Sequence, residues 1–160
     1  MSEELRRQLI DIALEMNRSG INQGTSGNLS VRLGEGMLIT PSGIPYPALA
    51  PPDIVYVDRS GKTDGSRKPS SEWRIHSDIY KAREDARAIL HAHPAECVAL
   101  ACMQKAIPAF HYMVAVAGGR NIRCAPRSRT RQAQDRFSAL SLRVLCVMWP
   151  SFSFRPALRA

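Results

Sequence analysis

Residues 69–94 read PSSEWRIHSDIYKAREDARAILHAHP, and this stretch decides the class of fold. Pro69-Ser70-Ser71-Glu72 has the form of a helix start: a serine ahead of a helix accepts from open N–H groups, and a first-turn glutamate suits the helix dipole. Trp73, Ile75, His76, Ile79 and Tyr80 then recur at helical spacing as an expected inward stripe. Residues 88–93 form a short run expected to be a strand. Pro94 then opens a helix holding Val98, Ala99, Ala101 and Cys102, with proline at the favoured first helical position. Helix, strand and helix in succession predict an α/β or α+β class built around one sheet.

Upstream, Leu5, Leu9, Ile12, Ala13 and Met16 give an amphipathic N-terminal helix, with Glu3 and Glu4 in its first turn and Gly20 as its stop. Gly24-Thr25-Ser26-Gly27 is turn-rich and leads into Asn28-Leu29-Ser30-Val31-Arg32-Leu33, which alternates like a half-buried strand. Gly34-Glu35-Gly36 separates it from Met37-Leu38-Ile39 in a hairpin-like arrangement. Thr40-Pro41-Ser42-Gly43 is another tight turn, and the proline-rich segment 45–52 is expected to be loop. Ile54-Val55-Tyr56-Val57 reads as a buried strand, closed by a turn region at 58–65.

Composition narrows the partners. The net charge of +8 suggests nucleic acid at first, but residues 1–124 carry 15 Lys and Arg against 13 Asp and Glu. Residues 125–160 carry 7 arginines and one aspartate, so most of the basic excess is confined to the tail. Neither nucleic acid nor a membrane is expected as a partner; no apolar run approaches the ~20 residues that span a bilayer. Cys97, Cys102, Cys124 and Cys146 form no CxxC pair, which argues against a disulfide framework or a thiolate zinc site. With charges where a signal peptide needs an apolar stretch, a cytoplasmic location is expected.

Four pieces can carry chemistry. His91 and His93 alternate on a strand, so both imidazoles face one side and can converge on one ion; alone, the pair also suits two hydrogen-bonded histidines at a strand end. Ser70-Ser71-Glu72 can be a plain helix cap, or an anion site with a general base beside it. The turns at 24–27 and 40–43 can present backbone N–H groups and hydroxyls to a phosphate, though no Gly-Lys-Ser/Thr follows to make a P-loop. Phe110-His111-Tyr112-Met113-Val114-Ala115-Val116-Ala117-Gly118-Gly119, taken alone, reads as a core segment ending in a glycine turn.

In this order, the motifs Gly-Thr-Ser-Gly-Asn-Leu-Ser (24–30), Thr-Pro-Ser-Gly (40–43), Pro-Ser-Ser-Glu (69–72), His-Ala-His-Pro (91–94) and His-Tyr-Met-Val-Ala-Val-Ala-Gly-Gly (111–119), running on to Cys-Ala-Pro (124–126), resemble the class II aldolase/adducin family, nearest its fuculose-phosphate-aldolase-like branch. The resemblance covers residues 5–126 and implies a three-layer α/β/α fold around one central sheet, incomplete at the C-terminus. It implies zinc held among histidines, with His91 and His93 matching two ligands. Glu72 matches the catalytic acid/base, which also approaches the metal. Gly27, Asn28, Ser42, Gly43, Ser70 and Ser71 match phosphate-binding positions. Tyr112 matches a catalytic tyrosine that reaches a neighbouring subunit's site in a four-fold tetramer. The implied reaction is cleavage of a ketose 1-phosphate, fuculose 1-phosphate-like, to dihydroxyacetone phosphate and an aldehyde. Two alternatives stand beside it: a pentulose-phosphate epimerase of the same superfamily, which tends to have Asp where this chain has Glu72, and a non-catalytic adducin-like interaction module or inactive remnant.

The resemblance stops after Pro126, where the composition also changes. Residues 125–160 contain no Gly, Lys, Glu or His. The chain is therefore expected to divide into a truncated aldolase-like domain, 1–126, and a divergent Arg-rich tail, 127–160, outside the native fold and derived from a shifted reading frame. The family's third metal histidine has no counterpart after His111, so weak zinc binding and little activity are expected of the chain as written.

Overall fold

The computed structural model describes residues 2–112, 114, 120–122 and 144–148. The motif residues 113, 115–119 and 124–126, and the tail apart from Val144–Met148, lie outside the described residues.

Helix α1, Ser2–Arg18, buries Leu9, Ala13 and Met16. It stops where expected. Gly20 takes φ +79°, and the Ser19 and Gly20 N–H groups close back on the Glu15 and Asn17 carbonyls. Strands β1, Asn28–Leu33, and β2, Gly36–Ile39, form the hairpin, with Leu33 opposite Gly36. Gly34 supplies φ +55° at the first turn position, a conformation that tight hairpin turns need and L side chains resist. Strands β3, Val55–Val57, and β4, Thr63–Asp64, continue the meander. Helix α2, Trp73–Ala82, then crosses to β5, Ala88–Ala92, which returns along the other side of β1. Helix α3 spans Ala95–Cys102, and β6, Val144–Met148, pairs with β5. The sheet order is β4-β3-β2-β1-β5-β6, antiparallel at every step.

Alternation along the strands sorts side chains into two layers. Leu29, Leu38 and Ala92 pack with Leu9, Ala13 and Met16 of α1 and with Tyr46 and Ile54. On the opposite face, Met37, Ile39, Val55, Val57 and Ile89 pack with Tyr80 of α2 and with Ala86. The fold is thus helix, sheet, helix, in the expected three layers. Arg32 ties the last turn of α2 to the sheet: Nε donates to the Ala86 carbonyl, Nη2 donates to those of Tyr80 and Arg83, and the guanidinium lies 4.6 Å from the centre of the Tyr80 ring. No described helix is long and apolar enough to cross a membrane.

Several details differ from the sequence reading. The segment expected to be loop contains two 3-10 turns, Tyr46–Ala48 and Pro51–Asp53, because proline's fixed φ suits such turns. The 58–65 turn region contains the short strand β4, whose two residues are exposed and give no hydrophobic signal. Pro94 is the residue before α3 rather than its first. Five residues of the segment set apart from 127 onward, Val144–Met148, stand in the sheet as β6, paired with β5.

Candidate functional site

Antiparallel pairing brings four separate motifs to one end of the sheet. Asn28 begins β1 and lies directly across from His91, near the end of β5. Thr40 follows β2; its N–H bonds to the Leu29 carbonyl at 3.0 Å, and its hydroxyl accepts the Leu29 N–H at 3.2 Å. The 40–43 turn is stitched to the segment before α2, where Ser42 N–H donates to Lys68 O and Ser70 N–H to Thr40 O, each at 3.0 Å. Ser70 is buried and its hydroxyl accepts the Glu72 N–H at 3.3 Å, but α2 begins only at Trp73, so Glu72 stands at the cap position in place of the expected serine and no side chain caps the helix. Ser42, Gly43 and Ser71 are exposed around it.

Glu72, His91 and His93 meet at this end. His91 Nε2 lies 2.8 Å from His93 Nε2 and 3.2 Å from Glu72 Oε2, and one ligand atom from each residue falls within 4.8 Å of the others. The two imidazoles meet edge-on, at 75°. Asn28 Nδ2 donates to Glu72 Oε2 at 2.9 Å and so orients the carboxylate. A tetrahedral zinc with bonds of about 2.0–2.1 Å sets neighbouring donors roughly 3.3 Å apart. The Glu72–His91 spacing already matches, and the two histidines need to part by only ~0.5 Å. Two imidazoles and a carboxylate are a donor set that zinc accepts, so these residues fit a divalent metal. The Asn28 Oδ1 acceptor beside them is buried without a hydrogen-bond partner among the described residues, where a buried polar atom ordinarily has one.

Gly27 explains how the 24–27 loop reaches this end. A Cβ on Gly27 would lie 2.5 Å from the His91 carbonyl oxygen and 2.8 Å from Asn22 Oδ1, so only glycine lets the loop pack against β5. Its own carbonyl accepts the buried Tyr46 hydroxyl, whose pKa burial pushes up to about 12.

Beneath the site runs a polar row that the sequence reading assigned to packing. His76 Nδ1 lies 2.7 Å from the Ser30 hydroxyl, itself 2.9 Å from the Tyr80 hydroxyl. His76 is 1% exposed, and its Nε2 has no hydrogen-bond partner among the described residues. Burial, with a smaller contribution from His91, pushes its pKa down to about 3, so it is neutral. Burial likewise raises the pKa of Tyr80. Asn22 was missed altogether, since a lone Asn near a turn carries no motif. Tyr112 lies exposed, its ring 4.4 Å from that of His111. Elsewhere, a polar cavity of about 310 Å³ lies at the hairpin end of β1, lined by Arg32, Glu35, Asp58, Arg59, Lys81 and Glu84 among others. It shares Tyr80 with the polar row, and its lining does not include Asn28, Glu72, His91 or His93.

A sequence model described as Class II Aldolase and Adducin N-terminal domain matches residues 7–147. The chain belongs to the class II aldolase/adducin family. Within that family it is 53% identical over 123 residues to the L-fuculose phosphate aldolase of Escherichia coli strain K12, covering 77% of this chain and 57% of that protein. It is 55% identical over 119 residues to the 5-methylthioribulose-1-phosphate/5-deoxyribulose-1-phosphate aldolase of Rhodospirillum rubrum, covering 74% and 54%. A solved L-fuculose 1-phosphate aldolase superposes with a TM-score of 0.75 at 38% identity, covering 82% of this chain and 65% of that one. The chain thus spans little more than half the length of the curated relatives it matches.

Proposed function

We propose that this class II aldolase chain carries the zinc and phosphate positions of an aldehyde-lyase that cleaves a ketose 1-phosphate, fuculose 1-phosphate-like, to dihydroxyacetone phosphate and an aldehyde. The observation that carries the reading is the convergence of Glu72, His91 and His93 beside Asn28, next to three loops rich in glycine and serine. The substrate class is the one shared by the names of both relatives, each an aldolase of a sugar phosphate.

His91 and His93 would hold the metal, joined by Glu72 when substrate is absent. When bound, a zinc ion supplies Lewis acidity for the negative charge that carbon–carbon cleavage leaves behind. The chain's own residues do the rest. Gly27, Asn28, Ser42, Gly43, Ser70 and Ser71 hold the phosphate and thereby fix the sugar's orientation. Glu72, oriented by Asn28, moves the proton at the carbon released by cleavage. Tyr112 exchanges the proton of the aldehyde oxygen, and its exposure suits a ring that acts in a neighbouring subunit of a homotetramer. The site lies within the proposed domain 1–126, and the location is cytosolic.

The test is zinc binding by competition with a chromophoric chelator, together with dihydroxyacetone phosphate release from fuculose 1-phosphate. One saturable zinc per chain, lost in His91→Ala and His93→Ala, is expected, with slow product release that Glu72→Gln removes. No saturable zinc binding, or product release indifferent to Glu72→Gln, overturns the reading.

A further inference from the structure

We infer that Asn22 is a positioning residue coupling the 24–28 loop to the metal-ligand end of β5. This rests on the reading above that His93 holds a metal and the loop a phosphate. Asn22 is 2% exposed and its amide faces three partners at once. Nδ2 donates to Asn17 Oδ1 at 3.0 Å, and Asn17 Nδ2 in turn donates to the Gly24 carbonyl at 3.0 Å. Oδ1 lies 3.0 Å from the Ser26 hydroxyl, whose single proton it shares with the Gln23 carbonyl at 2.7 Å, and it accepts the His93 backbone N–H at 3.4 Å. Gly27 packs against the same oxygen and against the carbonyl of His91. One buried amide therefore sits between the end of α1, both sides of the loop turn, and the backbone that carries His93.

The consequence is linkage. A shift of the loop on engaging an anion pulls on Ser26, hence on the Asn22 oxygen, hence on the backbone of His93. By reciprocity, seating a metal at His93 sets the loop for its anion. Neither Asn22 nor Ser26 need touch the metal for this to hold. The His93 contact, the longest of the set, is the link to the metal-ligand backbone, so displacing Oδ1 through Asn17 or Ser26 is felt there.

The experiment measures zinc affinity of the full chain by chelator competition, without phosphate, for the parent, Ser26→Ala, Asn22→Ala and the double variant. Metal-free binding of inorganic phosphate, followed by 31P NMR, is measured in parallel. Ser26→Ala is expected to weaken zinc by about threefold to tenfold in the parent and to have no further effect in Asn22→Ala. Asn22→Ala is expected to weaken both zinc and phosphate. Ser26→Ala leaving zinc affinity unchanged, or changing it equally in both backgrounds, overturns the inference. Should Asn22→Ala fail to fold, Asn17→Ala takes its place, because it frees the amide while leaving the core intact; unchanged zinc affinity in both Asn17→Ala and Ser26→Ala overturns the inference. A parent that binds no zinc at all refutes the proposed function instead. A parent whose zinc is lost in His91→Ala but is indifferent to Ser26, Asn22 and Asn17 refutes only the coupling.

Discussion

Replacing Gly27 with alanine adds a single methyl group at the point where the 24–27 loop meets β5. The new Cβ would lie 2.5 Å from the His91 carbonyl oxygen and 2.8 Å from Asn22 Oδ1. Ordinary contact requires about 3.4–3.5 Å, so the gap must open by roughly 0.7–1 Å. Neither neighbour yields easily. The His91 backbone is fixed by pairing with Asn28 on one side and with Leu145 on the other, and the Asn22 amide is held by Asn17 and Ser26. Gly27 does not have a positive φ, so the cost comes from crowding and the loop must move. Overpacking of this kind costs about 1–3 kcal/mol, which for a chain of this size lowers Tm by roughly 2–10 °C. A loop displaced by ~1 Å should also lose on the order of 10²-fold in any function that depends on its placement. Thermal unfolding by circular dichroism gives the first number, and phosphate titration by 31P NMR gives the second. Gly24→Ala is the control: nothing among the described residues lies within 4 Å of its Cβ, so its φ of +59° supplies the resistance, at about 1 kcal/mol. If Gly27→Ala matches the parent in both Tm and phosphate affinity, the packing of the loop against β5 is wrong.

Two further predictions concern stability. Because His76 is held neutral at a pKa of about 3 while an unfolded histidine titrates near 6.5, the unfolded chain binds the extra proton between those values. The metal-free chain should therefore be most stable above pH 6.5 and lose about 1.4 kcal/mol per pH unit on acidification towards pH 3, and His76→Gln should flatten that slope. Urea midpoints at several pH values measure it, and equal slopes for parent and variant would refute it. Arg32→Ala removes the three hydrogen bonds that tie the end of α2 to β1 and should cost about 2–4 kcal/mol, with Arg32→Lys recovering little because an ammonium cannot span the three carbonyls. A loss below about 0.5 kcal/mol, the range of an ordinary surface change, would count against it.

Local signals carried most of the elements. The alternation of 28–33, the glycines at 34 and 36, and the stripe in α1 each reflect contacts within a few residues, and each is legible for that reason. Strand order was not. β1 pairs both with its hairpin partner and with β5, some sixty positions later, and nothing local specifies the second neighbour. β4 was missed because Thr63 and Asp64 are exposed and carry no hydrophobic signal. At the site, His91 and His93 announce themselves by spacing, and Glu72 by its place in an ordered set of motifs. Asn22 reaches the His93 backbone 71 positions on, His76 reaches Ser30 46 positions back, and Thr40 bonds Leu29 across the hairpin, so these contacts appear only once the strands are assembled.

The pairing of Asn28 with His91 makes the site a seam between two pieces of chain. One piece, 22–57, brings the loop, the hairpin and the meander; the other, 68–93, brings the serines, the carboxylate and the imidazoles. The exposed, glycine-containing stretch between them contributes no side chain to the site. Neither piece holds a working set of groups alone. The meeting of Asn28 with Glu72 and His91 is in this sense a property of a complementing pair of fragments that happen to share one backbone, and it exists only while β1 and β5 remain zipped.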